Sequence, residues 1–229
     1  MAAHPLQLDH LVIAARTLDE GVAYVADTLG AQPSGGGAHP LMRTHNRLFG
    51  LWGGAYLEVI AIDPHAPPPA GDETPRPRLF ALDAPATRAR LERGPWLAHW
   101  VARVERPRQL ALWRRQYPDR IPPVVAMTRG DFSWGLTVPD DGGWPEWQHA
   151  GDGLVPSLIQ WDTTRRPADT LPHDGIALTA LRGEHPRADT VLEQLRWLGI
   201  DPLLALTDGA GEPALVAEFD TPNGPRTLR

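Results

Sequence analysis

This chain contains no cysteine. It also contains no lysine: all 22 of its basic side chains are arginine. The first absence excludes a disulfide framework, a thiolate nucleophile and any Cys-based zinc or iron–sulfur site. The second excludes Schiff-base chemistry by a protein amine. Long apolar runs are missing too; nowhere do apolar residues continue for the roughly 18–20 positions that a membrane helix takes. The opening MAAHPLQLDH has no basic stretch ahead of an apolar core, so no signal peptide is expected. Positive charge is in deficit, with a net charge of −6. That leaves no basic stripe for nucleic acid and no attraction to an anionic membrane surface. No GxSxG, P-loop, GxGxxG or HExxH stretch is present. The expectation is a cytoplasmic protein without nucleic-acid or membrane partners.

What is present is a repeat. LDHLVIAARTLDEGVAYVADTLG (residues 8–30) lies over LAHWVARVERPRQLALWRRQYPD (residues 97–119), with His10 on His99 and Val12 on Val101. Each segment opens as a short apolar strand and continues with helical spacing. The first helix stops at Gly30, a C-terminal glycine signal. A weaker third copy runs from Ile176 to Ile200, with Thr179 where the histidine stood. Hairpins follow each unit: THNRLFGLW and AYLEVIAID around Gly53-Gly54, DFSWGLTVP and LVPSLIQWD around a longer loop, ALVAEFDT and PRTLR around Pro222-Asn223-Gly224.

The expected fold class is α+β, with paired βαβββ modules at 7–64 and 79–163 and a partial third βαββ module at 175–229. The Pro-rich stretch 65–78 reads as a semi-rigid linker, and the GGG of residues 35–37 as a flexible loop. The loop GGWPEWQHAGDG, with Trp144 and Trp147, reads as a possible lid.

Alternation along strands then selects candidate site residues. His10 and Glu58 interrupt apolar strands, and His99 repeats the position of His10. A buried carboxylate needs a cationic or metal partner. Two histidines and one glutamate form a set suited to Zn, Fe, Mn, Ni or Co, with positions left for water or substrate. The competing reading pairs Glu58 with Arg47 or Arg103 and binds no metal. His45 is the candidate general base. Arg47, Trp52, Trp100, Ser157 and Trp161 are candidates for contacting a small-molecule substrate, the aromatic ones by walling a cup.

The repeated grammar, LDHLVIA, the THNRLF…YLEVIAID hairpin and LVPSLIQWD resemble the vicinal oxygen chelate superfamily, and within it the glyoxalase-like proteins. That resemblance implies a half-barrel cup with metal ligands on the first and last strands of each module. His10, Glu58 and His99 match three such positions. The fourth falls on Ser157, a poor ligand in place of a carboxylate. Two functions stay open: a divalent-metal isomerase, lyase or dioxygenase, and a metal-free protein that binds or sequesters a small molecule, as antibiotic-sequestering relatives do. A homodimer is a further expectation.

Overall fold

The structure, a computed structural model, describes residues 6–67 and 75–229. Residues 68–74 of the expected linker lie outside the described residues.

Strand β1 (Leu6–Ala14) leads into helix α1 (Leu18–Leu29), then β2 (Gly35–His39), β3 (Thr44–Gly50) and β4 (Tyr56–Ile62). The second unit repeats this with β5 (Trp96–Val104), α3 (Leu110–Gln116), β6 (Val124–Arg129), β7 (Phe132–Thr137) and β8 (Ser157–Trp161); a short helix α2 (Pro85–Leu91) precedes it. The C-terminal part runs β9 (Ala177–His185), α4 (Ala188–Leu198), β10 (Ala205–Asp208), β11 (Ala214–Thr221) and β12 (Gly224–Leu228).

The caps show why the first helix sits where it does. Thr17 accepts a hydrogen bond from the Glu20 amide, and Asp19 and Glu20 put negative charge at the helix N-terminus. At the other end Gly30 takes a left-handed φ of 75° and closes onto the Ala26 carbonyl.

Eight strands form one curved sheet in the order β2-β3-β4-β1-β5-β8-β7-β6. The two modules meet at β1 and β5, which run antiparallel with Val12 opposite His99. Within each module the first strand pairs parallel to the last, as β1 to β4 and β5 to β8. The edge strands β2 and β6 approach each other, so the sheet nearly closes. This is the expected α+β cup.

Two apolar cores follow from the alternation. The convex face, with Leu11, Ile13, Leu57 and Val59, packs on the helices and on the C-terminal sheet through residues such as Val25, Leu195 and Phe219. The concave face, with Val12, Ile60 and Val101, encloses Leu79, Phe80 and Leu82 from the segment between the modules.

Two expectations change. Residues 35–37 form part of β2, paired with β3 in the register Gly37↔Asn46, rather than a flexible loop. The C-terminal unit has a four-stranded sheet in the order β10-β9-β11-β12, one strand beyond the expected βαββ. The extra strand β10 is only four residues long and mostly exposed, so it carries no apolar pattern to read. Among the described residues no helix is long and apolar enough to cross a membrane.

Candidate functional site

The concave face carries a polar chain built from seven of the eight strands. His10 Nε2 lies 3.3 Å from Glu58 Oε2, and His10 Nδ1 donates to Asp9 Oδ1 at 2.8 Å. Asp9 also accepts from Trp161 Nε1 at 3.0 Å and from Arg103 Nη1 at 3.4 Å. On the other side, Asn46 Nδ2 donates to Glu58 Oε1 at 2.5 Å. Asn46 Oδ1 accepts from Arg129 Nη1 at 2.9 Å and from the Gly37 amide at 3.0 Å. Arg129 Nη1 also donates to His39 Nε2 at 3.2 Å, while His39 Nδ1 faces Thr44 Oγ1. Asp9, His10, His39, Asn46 and Glu58 are all buried.

Neighbours on a strand normally point to opposite faces, yet Asp9 and His10 bond to each other. A register shift between Leu8 and His10 in the β1–β5 ladder explains this: a bulge at Asp9 turns its carboxylate toward the imidazole. The signal is absent from the residue pattern, which is why sequence reasoning passed over Asp9.

Charge follows from these contacts. Burial alone would push His10 down, but the hydrogen bonds and charges of Asp9 and Glu58 prevail and raise its pKa to about 9. Burial alone would push Glu58 up; the bond to His10, its charge and the Asn46 amide bring it down to about 2. Asp9 is likewise held below its ordinary value despite its burial, chiefly by His10. At neutral pH the chain is therefore carboxylate, imidazolium, carboxylate. Burial lowers His39 to about 4, keeping it neutral, with Arg129 adding to the effect.

His99 sits on the same face, but both ring nitrogens are committed. Nδ1 donates to the Gly153 carbonyl at 2.8 Å, and Nε2 accepts the Ser157 amide at 3.0 Å and lies 3.0 Å from its hydroxyl. Burial lowers its pKa to about 3. Phe80 and Trp144 cover the ring at 5.3 and 5.1 Å. A divalent ion shared by His10, Glu58 and His99 needs a lone pair that His99 does not have to spare; freeing Nε2 would orphan the buried Ser157 amide. Among the described residues, no three His, Asp or Glu side chains converge on a metal position. The three-ligand metal set does not fit this donor arrangement.

Most of the other candidates do not reach the cavity. His45 and Arg47 alternate with Asn46 and so face the convex side; His45 lies 3.9 Å from Asp63, and Arg47 is exposed. The expectation of His45 as general base and Arg47 as a substrate contact is corrected by that parity. Trp52 is 65% exposed and packs edge-on against His173. Trp100 belongs to the convex core, with Nε1 donating to the Leu154 carbonyl. Ser157 serves His99. Trp161 alone among the substrate candidates lines the cavity. In the loop carrying Trp144 and Trp147, the Trp147 indole donates to Glu193 and lies under the Arg120 guanidinium at 3.8 Å.

The cavity itself is small, about 30 Å³, with His10, Glu58 and Asn46 at its polar end and Phe80, Trp134 and Trp161 among its apolar walls. That is room for about two waters, on the basis of roughly 10–15 Å³ each. Phe80 and Ala81 hold left-handed φ angles of 59° and 52°, a strained conformation for residues with a Cβ, where their segment fills the cup.

The glyoxalase-like domain model matches residues 8–199. Among solved structures, a hypothetical protein from Staphylococcus aureus is 16% identical, with a TM-score of 0.54 over 97% of this chain and 84% of that one. Methylmalonyl-CoA epimerase from Mycobacterium tuberculosis is 16% identical, with a TM-score of 0.44 over 74% of this chain and 97% of that one. A variant of the Streptomyces coelicolor methylmalonyl-CoA epimerase, in complex with 2-nitronate-propionyl-CoA, is 15% identical with a TM-score of 0.42, covering 70% and 98%. No curated protein matches. The likeness to the Staphylococcus protein is one of fold. With the model match covering most of its length and the cup architecture in place, the chain belongs to the glyoxalase-like domain family, of the vicinal oxygen chelate fold.

Proposed function

We propose that the cup binds a small organic molecule and that the Glu58–His10 pair moves a proton on it. The observation that carries this reading is the 3.3 Å contact between the two groups at the floor of the concave cavity, with Asp9 behind the imidazole. A carboxylate next to an imidazolium supplies a base and a cationic hydrogen-bond donor in one place. For a carbonyl compound, Glu58 would take the proton from the carbon beside the carbonyl, and His10 would stabilise the oxyanion that forms. Isomerisation and lyase reactions both use that step. The imidazolium provides the positive charge that a Lewis-acid ion would otherwise bring, so this reading needs no metal. The dioxygenase reading has no support in the donor set described above.

The experiment is deuterium wash-in. The protein is incubated with small 2-oxo acids in D2O, and exchange at the carbon next to the carbonyl is followed by proton NMR. Exchange that disappears in Glu58→Gln supports the reading; exchange that survives in Glu58→Gln removes Glu58 from its role.

One observation favours a second reading, sequestration without chemistry. Glu58 held near 2 is a weak base while His10 stays protonated. Binding seen by calorimetry with no exchange for any bound compound would select that reading.

A further inference from the structure

The inner cavity is too small for an organic molecule on its own, so a ligand must extend somewhere. Arg129 lines both this cavity and a larger, more open cleft of about 710 Å³. That cleft lies between Gly35, Gly36 and Leu48 of one module and Phe132 and the 163–171 segment of the other. Its further cation is Arg165, and Asp131 is the acidic residue on its wall. The chain as a whole is acidic, so a cleft with two guanidiniums is a local reversal of sign.

Arg129 is also held in a particular way. Its Nη1 points inward, bonded to Asn46 Oδ1 and His39 Nε2. Among the described residues, its Nε and Nη2 make no hydrogen bond, and the side chain is only partly buried. The guanidinium is thus anchored at one corner, with donors left on its other edge. Gly37 leaves room for it: a Cβ there would stand 3.1 Å from Arg129 Cδ, closer than an ordinary contact.

We propose that the ligand of the cup is an organic anion whose carboxylate or phosphate group is bound by Arg129 at the junction of the two cavities. A guanidinium edge offers two parallel donors, the geometry that an oxyanion accepts. The ligand's apolar body lies in the larger cleft against Leu48, Phe132 and Leu171, and its small reactive end enters the inner cavity toward Glu58 and His10. This inference rests on the proposed cup function and names its substrate class.

Isothermal titration calorimetry tests it with three probes: 3-phenylpropanoate, its neutral amide, and phenyl phosphate. The native protein is expected to bind one or both anions about tenfold or more tightly than the amide. Which anion is tighter distinguishes carboxylate from phosphate. In Arg129→Gln that preference is lost, the anions binding no more tightly than the amide; Arg165→Gln reduces it only partly, as a second, more distant charge would. An anion preference that persists in Arg129→Gln overturns the inference and leaves the cup reading standing. Equal binding of anions and amide by the native protein does the same. Failure of all three probes to bind at millimolar concentration removes the cup reading along with the inference.

Discussion

His10 and Glu58 face each other across the parallel β1–β4 pair, imidazole Nε2 to carboxylate Oε2 at 3.3 Å, in a register that sets Val12 beside Glu58. The imidazole also stacks on Tyr56 at 4.6 Å. Both groups are buried, so each depends on the other for charge. Removing one leaves a desolvated charge behind.

Glu58→Gln keeps the size and a hydrogen bond from Asn46 but takes the anion from His10. A hydrogen bond to a charged group contributes about 1.5–3 kcal/mol, and a loss in that range is expected in urea denaturation. The His10 pKa, followed by NMR, is expected to drop from about 9 toward its ordinary 6.5. An unchanged His10 titration would show that Asp9 alone sustains the imidazolium.

Stability is expected to peak near neutral pH and fall on both sides. His10 is raised from 6.5 to about 9, so its contribution is complete below 6.5 and is lost as pH rises through about 9. Glu58 is lowered to about 2, so its contribution is present above 4.5 and is lost as pH falls through about 2. His39 and His99, depressed to about 4 and about 3, favour the neutral ring in the fold, and their contribution is lost progressively as pH falls below 6.5. Thermal melts between pH 4 and 10 check this; in His10→Gln the decline above neutrality is expected to flatten.

His99 is a structural histidine in this arrangement. His99→Ala strips the buried Ser157 amide of its acceptor, at an expected cost of about 1–3 kcal/mol plus the lost packing. Ser157→Ala leaves that amide bonded to His99 and is expected to cost less, about 0.5–1.5 kcal/mol. Chemical denaturation of both variants, side by side, tests the order. The reverse order would mean that the hydroxyl, and not the amide, is what His99 holds.

Phe80→Ala removes a large side chain that fills the cup and is expected to destabilise the protein by about 3–5 kcal/mol. Alanine keeps the Cβ, so the left-handed strain at this position stays and does not offset the loss. The same change enlarges the inner cavity, so bulkier ligands are expected to gain affinity in calorimetry while small ones do not. Uniformly weaker binding would place Phe80 against the ligand itself.

The alternation of apolar residues and the internal repeat were enough to place β1, β4, β5 and β8 and to single out His10 and Glu58, because a charged group in an apolar strand is visible without any partner. The parity of β3 was not legible in the same way. THNRLFG alternates equally well in either sense, and only its pairing with β4, Leu48 opposite Glu58, turns Asn46 inward and sends His45 and Arg47 outward. The glycines of residues 35–37 gave no strand signal because they have no side chains to alternate.

What the sequence by itself determined is the cup: two strand–helix–strand units whose buried faces demand each other, with an imidazole and a carboxylate set into them. What only the tertiary structure decided is the company those two keep. A one-residue bulge brought in Asp9, closure of the sheet brought Arg129 from β6 across to Asn46 and His39, and the path of a connecting segment put Phe80 in the cup. Each depends on contacts between residues far apart in the chain, and local residue patterns carry no record of them.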